Sequence, residues 1–465
     1  METFDAVIIG AGPGGYPAAI RAAQLGASVA LVEKEQLGGT CLNWGCIPTK
    51  TLIASSDLLA RMRDAGRMGL TCDGASFDFP ALRARKNEVV GTLRNGVEQL
   101  LRGNGVRVFK GTGSFAARDR IVIRRGKSEK VLRAGRTIIA TGSTSAMPSF
   151  LPRSSRILES RGFLDLKTLP ESLIVLGGGV IGCEFACMAA QLGVKVTVVE
   201  MLEDLLVMLD RDVRGELRRH MEGVLGIRIL TGRSLQDIRT GRQGVTGALG
   251  DNELAAERLL VAVGRAPVTA GLGLRKAGLV TDEAGFIETD AYGRTAAATI
   301  YAVGDVTAGT TQLAHAATAQ GMTAAENACG AHRRSETLVP SCIFTAPEIG
   351  TVGLSEAKAK QDQRAVGIGK FVFAASGKAL AAGEPHGFVK WVVDAETDQL
   401  LGAAAVGPHA TELIAEATTA IRGELTATEL GRTIHAHPTL AEAWMEAAHA
   451  VHGGCIHQPP RRKRR

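Results

Sequence analysis

Aromatic residues are scarce, with 13 Phe, 3 Trp and 3 Tyr in 465 residues. Few rings are available to stack on bases and no nucleic-acid motif accompanies the basic residues, so nucleic acid is not an expected partner. No apolar run is long enough to span a membrane, and no basic region precedes the short apolar run near the N-terminus. Neither a membrane partner nor a signal peptide is expected. Cysteine is sparse, and Cys41 and Cys46 are followed by no pair of the same spacing. A structural metal site usually needs two such pairs, so no metal is expected. Cys72, Cys183, Cys187, Cys329, Cys342 and Cys455 lie scattered in apolar surroundings and read as free thiols. Free thiols suit a reducing compartment, and a cytoplasmic location is the expectation. The net charge is +7, and Arg461, Arg462, Lys463, Arg464 and Arg465 supply five of those charges. This basic tail, 461–465, reads as a solvated end; docking to an acidic partner is the sharper alternative.

Glycine is plentiful at 57 residues, and apolar residues make up 45% of the chain. That composition fits tight turns and close packing around buried cores rather than disorder. The length suits three or four domains.

The stretch Gly38 to Lys50, GGTCLNWGCIPTK, places four residues between Cys41 and Cys46. Five steps of an ideal helix rise about 7.5 Å. A disulfide needs Cα atoms within about 7 Å. Pairing therefore requires a distorted turn, which Gly45 allows. Such a bond would be strained and easily reduced, as redox use requires. Unpaired core thiols and a metal half-site remain alternatives on spacing alone.

Near the N-terminus, the apolar run Phe4 to Ile9 leads into GAGPGG, Gly10 to Gly15. A small-residue helix, Pro17 to Leu25, and a second apolar run ending in Glu33 follow. Gly10 makes the turn, Gly12 admits a pyrophosphate, Gly15 lets helix and strand pack, and Glu33 holds ribose hydroxyls. The pattern recurs: Leu173 to Leu176, then GGGVIG from Gly177 to Gly182, a helix, and a strand from Lys195 ending in Glu200. The offset from first glycine to acid is the same in both units. Two complete units predict two Rossmann-like cradles, one dinucleotide each. Glu200 repels a 2′-phosphate, and Met201, Leu202, Glu203 and Asp204 follow it with no arginine, so the second cradle reads as NAD rather than NADP. Thr137 to Ser143, Leu259 to Pro267 and Thr299 to Val306 each read as a buried strand ending in a glycine turn.

Together with HAHPTLAE, His435 to Glu442, these motifs resemble the flavin-dependent pyridine nucleotide–disulfide oxidoreductases from Phe4 to about Pro460. Within that family the chain is most similar to the members that oxidise dihydrolipoamide. The resemblance implies FAD in the first cradle and NAD in the second. It implies that Cys46 is the thiol nearest the flavin, forming a charge-transfer thiolate, and that Cys41 exchanges with substrate. Lys50 and Glu184 match an ion pair near the flavin. His437 matches the base and Glu442 its orienting acid, reaching the disulfide of a second subunit in a homodimer. FAD contacts are implied at Gly10, Gly12, Gly15, Glu33 and Lys34, at Gly39, Thr40 and Lys50, and at Gly113, Thr141 and Gly142. Asp305, Gln312, Leu313, Ala314 and His315 complete them. NAD contacts are implied at Gly177, Gly179, Val180, Ile181 and Gly182, and at Glu184, Glu200, Gly264 and Arg265. The chain departs from the family's usual residues at Trp44, Gln320 and Ala441.

The expected fold is α/β: an FAD domain at 1–145, an NAD domain at 146–270, a central segment at 271–337 that returns to the FAD site, and an α+β dimerisation domain at 338–460. The FAD domain carries a helical insertion from Thr51 to Leu101. The last domain has short alternating strands, such as Phe388 to Asp394, and a final helix from Leu440 to His452. The expected activity is oxidation of dihydrolipoamide on a lipoyl-bearing protein. The rivals are reduction of another disulfide or of a metal ion, and a non-catalytic nucleotide sensor. Mercuric ion is disfavoured because Cys455 stands alone near the C-terminus.

Overall fold

The computed structural model describes residues 1–72 and 74–459; the basic tail lies outside the described residues. Strand Glu2–Ile9 pairs in parallel with Val29–Glu33 and Ser128–Ile139. Val29–Glu33 pairs in turn with Arg107–Lys110. Every residue of Val29–Glu33 is buried, the signature of a parallel strand covered on both faces. Two antiparallel strands, Arg120–Arg125 and Thr112–Ala117, extend this sheet. Helix α1 (Gly15–Gln24) crosses between its first two strands. Helices α2 (Gly39–Trp44), α3 (Cys46–Arg63) and α4 (Phe79–Gly103) follow, with α3 and α4 packed as the expected helical insertion.

The second unit repeats the first. Arg228–Leu230, Lys195–Val199, Ser172–Leu176 and Arg258–Val261 lie in that order, all parallel, with Ile157–Leu158 at the edge. A three-stranded antiparallel meander, Gln236–Gly241, Gly244–Leu249 and Asn252–Ala256, accompanies it. Its helices are α5 (Ser160–Leu164), α6 (Val180–Gln191) and α7 (Arg211–Gly223).

The chain then returns. Strand Ile300–Ala302 pairs with Ser128–Ile139 of the first sheet, and α8 (Ala314–Ala328) packs on α1. The two helices meet through small residues: a Cβ on Gly321 would stand 2.1 Å from the Gly14 carbonyl oxygen.

The last unit is an antiparallel sheet in the order Ser341–Ile343, Glu348–Gly353, Leu400–Gly407, Phe388–Asp394, Val366–Val372. Helices α9 (Glu356–Gln361), α10 (Gly377–Ala381), α11 (Ala410–Arg422), α12 (Ala427–Arg432) and α13 (Glu442–Val451) surround it. Trp391 and Trp444 are both fully buried, with ring centroids 4.7 Å apart. Each indole N–H reaches a backbone carbonyl, of Trp444 and Leu413 respectively. Strand Phe388–Asp394 does not alternate as expected: its first six residues are all buried. Trp391 faces α13, while the neighbouring Lys390 points the other way into carboxylates of the second unit and α9. Among the described residues, no helix is long and apolar enough to cross a membrane.

Candidate active site

The chain breaks between α2 and α3 at Gly45, where φ is −134° and ψ is −110°. The break draws the Cα atoms of Cys41 and Cys46 to 4.7 Å, and the two sulfurs are bonded. A Cβ at position 45 would lie 3.0 Å from the Thr40 carbonyl oxygen and 3.2 Å from the Cys41 Cα, so a larger residue crowds the turn. Cys46 is the first residue of the 18-residue helix α3. The partial positive charge at a helix N-terminus favours a thiolate there. Asn43 secures α2 by donating its amide to the carbonyls of Leu37 and Gly39, each at 2.9 Å. Trp44 turns to α5, where the Arg161 guanidinium stacks on its ring at 3.9 Å and also reaches Glu35.

The two cradles agree in detail. Gly10 has φ +102° and Gly177 φ +110°; a Cβ would strike the carbonyl of Ala140 at 2.3 Å in one and of Ala262 at 2.4 Å in the other. Gly15 and Gly182 would place a Cβ 1.8 and 2.0 Å from the first glycine's carbonyl oxygen. Glu33 accepts from the N–H of Ala11 at 2.8 Å and of Glu35 at 2.7 Å. Glu200 accepts from Gly178 at 2.6 Å and Leu202 at 2.7 Å. Each carboxylate is thus fixed beside its glycine turn with acceptor capacity left over for ribose hydroxyls. Space in front of the turns is open: a Cβ on Gly12 would meet only the Gly39 Cα, at 3.9 Å, and one on Gly179 or Gly264 would meet nothing within 4 Å. The buried Oδ1 of Asn43 has no partner among the described residues. Two open glycine turns with oriented carboxylates, and an unpaired buried acceptor on α2 among the described residues, fit two dinucleotides.

Val180 and Ile181 open α6 above the second turn. Lys34 and Thr40 are exposed beside the first, and Gly113 packs on Ile9 and Val32. Lys50 of α3 donates to Glu184 of α6 at 2.7 Å, and Glu184 also accepts from the Phe344 N–H at 2.9 Å. One buried carboxylate so ties the cysteine helix, the second cradle and the last unit together. The Thr141 hydroxyl donates to the Val268 carbonyl, and Gly142 accepts from the Val268 N–H. Asp305 accepts the Ser143 hydroxyl. Arg265, expected at the second nucleotide, donates to the Ser143 hydroxyl and carbonyl and stands 3.7 Å from Asp305. Burial pulls its guanidinium below the ordinary value, against the Asp305 charge. Gln312 and Leu313 lead into the N-terminus of α8 at Ala314; His315 is held by the Pro340 carbonyl at 2.6 Å. Gln320 accepts from the Gly304 N–H at 2.7 Å.

His437 Nδ1 pairs with Glu442 at 2.8 Å, and the other Glu442 oxygen accepts from the Thr439 N–H. The His437–Pro438 bond is cis. Burial pushes the Glu442 carboxyl up, but the Thr439 N–H and the hydrogen bond and charge of His437 outweigh it and hold it below the usual range. His435, two residues before it in the same motif, is instead taken by Glu416 at 2.7 Å. The His437 side chain is 79% exposed. No hydrogen bond among the described residues joins it to Cys41 or Cys46. Ala441 caps α13 without a side-chain bond. Ser143, Phe344 and Glu416 had no signal in sequence, because each meets its partner only through the fold. The six other cysteines are free, but Cys72 and Cys329 are exposed rather than set in apolar surroundings.

Residues 4–321 match the model of the pyridine nucleotide-disulphide oxidoreductases, and residues 339–448 match that family's dimerisation domain. The chain belongs to this family. It is 44% identical over 470 residues to a dihydrolipoyl dehydrogenase of Chlamydia muridarum, covering 99% of this chain and 100% of that protein. It is 42% identical to the dihydrolipoyl dehydrogenase of Bacillus subtilis, covering 98% and 99%. Among solved structures it resembles LpdA of Mycobacterium tuberculosis, with a TM-score of 0.89 and 30% identity over 96% of this chain and 99% of that one. A Cu(II) complex of the HOCl-induced flavoprotein disulfide reductase RclA of Escherichia coli is similar, with a TM-score of 0.88 and 30% identity over 96% and 99%. The family's two-cradle plan is therefore the plan of this chain, from the first strand to α13.

Proposed function

We propose that the chain is an FAD-dependent enzyme that oxidises dihydrolipoamide on a lipoyl-bearing protein, with NAD as acceptor, acting as a cytoplasmic homodimer. The observation that carries this reading is the Cys41–Cys46 disulfide at the start of α3, in a chain that follows dihydrolipoyl dehydrogenases over their full length. FAD, held by the first cradle, Asp305 and the N-terminus of α8, would supply a two-electron relay between the sulfur pair and nicotinamide.

The chain's own residues account for the sulfur chemistry. A thiol near pKa ~8.5 is mostly protonated at neutral pH and must lose its proton to attack. His437 takes that proton at Nε2, since Glu442 occupies Nδ1. The substrate thiolate attacks the Cys41 sulfur; the Cys41–Cys46 bond breaks and leaves Cys46 as a thiolate at the α3 N-terminus. The second substrate thiol then displaces Cys41 from the mixed disulfide, and Cys41 keeps the proton. Two substrate thiols become one disulfide, and one disulfide becomes two reduced cysteines. The exposure of His437 in a single chain supports its acting across an interface with a second copy, against that copy's cysteines. Glu184 holds Lys50 of the cysteine helix. Glu200 would take the ribose of NAD, not NADP.

The experiment is a comparison of free dihydrolipoamide, glutathione disulfide and Hg(II) as substrates of the purified flavin-loaded protein. Dihydrolipoamide with NAD should turn over far faster than either rival. Metal reduction has little support in the last unit, because burial and Glu446 push the Cys455 thiol up to about 12.

A further inference from the structure

Three polar side chains of the first sheet and its flank face one cavity. Strand Ile300–Ala302 sets Tyr301 beside Ile138, and Arg136, two residues earlier on Ser128–Ile139, shares that face. An antiparallel bridge sets Arg294 directly opposite Tyr301. With Cys329, at the C-terminus of α8, they line a cavity of about 490 Å³. Tyr301 is 2% exposed, and its hydroxyl has no partner among the described residues. A buried hydroxyl left unpaired calls for an acceptor in the cavity it lines. Neither guanidinium is in an ion pair among the described residues. Arg136 donates to the carbonyl of the adjacent Gly135 at 3.0 Å, and Arg294 reaches His332 Nδ1 at 3.4 Å. The His332 ring in turn stacks on Tyr292, with centroids 4.1 Å apart. The acids of this region are already engaged: Asp5 accepts from Ser28, and Glu326 lies between Arg21 and Arg333. Asn327 fixes the wall that follows α8, accepting the Arg333 N–H at 2.8 Å and donating to the Arg333 and Tyr292 carbonyls.

We infer that this cavity binds a small organic oxyanion, a phosphate or a carboxylate, gripped by Arg136, Arg294 and the Tyr301 hydroxyl. Guanidinium forks match the oxygens of both groups, and such an anion accepts from all three side chains at once. The C-terminus of α8 opposes it with about half a negative charge, against two full positive ones, so the cavity stays cationic. Its volume exceeds that of one phosphate or carboxylate group, and small lining residues such as Ala298 and Ala331 leave room for an organic body. The site is separate from the nucleotide cradle. Ala298 precedes strand Ile300–Ala302, whereas Gly304 and Asp305, on the flavin side, follow it. Cys329 is a bystander at the rim, since burial and then the Asp5 charge raise its thiol above the ordinary value.

The thiol at the rim reports occupancy. The flavin-loaded full-length protein is treated with iodoacetamide at constant ionic strength, and alkylation of Cys329 and of the exposed Cys72 is followed peptide by peptide by mass spectrometry. Ribose 5-phosphate and citrate separate the two oxyanions, and ribose is the neutral control. At least one oxyanion should slow the labelling of Cys329 at about 1 mM or below, with Cys72 unaffected and ribose without effect. R136Q/R294Q removes both cations and should keep its flavin while the half-protecting concentration rises about tenfold or more. Y301F removes only an unpartnered hydroxyl, so the fold is spared, and that concentration should rise about tenfold. Cys329 labelling that is the same with and without both oxyanions, or a half-protecting concentration unchanged in either variant, overturns the inference.

Discussion

At the scale of single residues, the proposed proton acceptor is His437 and the proposed exchange pair is Cys41 and Cys46. Removing a general base of this kind slows reaction by about 10²–10⁴-fold. His437→Gln should therefore lower the rate of dihydrolipoamide oxidation by that order while flavin stays bound, as read by steady-state assay and absorbance. Glu200→Arg should shift the preference from NAD toward NADP, measured as the ratio of kcat/KM for the two. These residues were legible because each sits inside a short motif: two cysteines around Gly45, a histidine before Pro438 with Glu442 close behind, an acid at the end of a strand. Their partners were not. Ser143 meets Asp305 and Arg265 across more than a hundred residues of sequence, a contact that no motif spells out. Trp44 gave no hint of Arg161, since a cation over a ring depends on how α2 and α5 lie together.

At the scale of elements, the glycine turns carry the argument. A methyl group on Gly15 or Gly182 would overlap a backbone carbonyl at 2.0 Å or less, too close for a small adjustment to relieve. Gly15→Ala should yield protein that fails to retain flavin. Gly182→Ala should retain flavin and lose NADH affinity by more than about tenfold, because the turns lie in separate sheets. Titration of each variant with FAD and with NADH checks both. The parallel strands read well from sequence, since Glu2–Ile9 and Ser172–Leu176 run straight into a glycine and Lys195–Val199 into an acid. The strand Phe388–Asp394 read poorly: alternation was expected, yet its lysine, Lys390, is 1% exposed. A buried lysine can be recognised only once its three carboxylates are in place.

At the scale of the whole molecule, that lysine joins the last unit to the second cradle. Its ammonium lies 2.8 Å from Asp210 and from Asp212 and 3.2 Å from Glu356. Asp210 also accepts the N–H groups of Glu356 and Ala357 at the start of α9. Removing one partner of a buried ionic group costs about 3–5 kcal/mol. Lys390→Met should lower Tm accordingly, in thermal unfolding of the flavin-loaded protein. Burial raises the Asp212 carboxyl, yet Lys390 and Lys370 outweigh it and hold it below the ordinary value. A carboxylate lowered in the fold adds stability above its unfolded pKa of about 3.9, and loses it as pH falls through the lower folded value. The stability of wild type should thus fall more steeply below about pH 4 than that of K390M. The central claim is that the Cys41–Cys46 pair passes two electrons from a dithiol to NAD. NADH formation from free dihydrolipoamide, followed without oxygen in wild type and in Cys46→Ser, tests it most directly. The account predicts one NADH per dithiol in wild type and none above background in flavin-loaded C46S. Turnover that survives in C46S, or a wild type that ignores dihydrolipoamide, would contradict it.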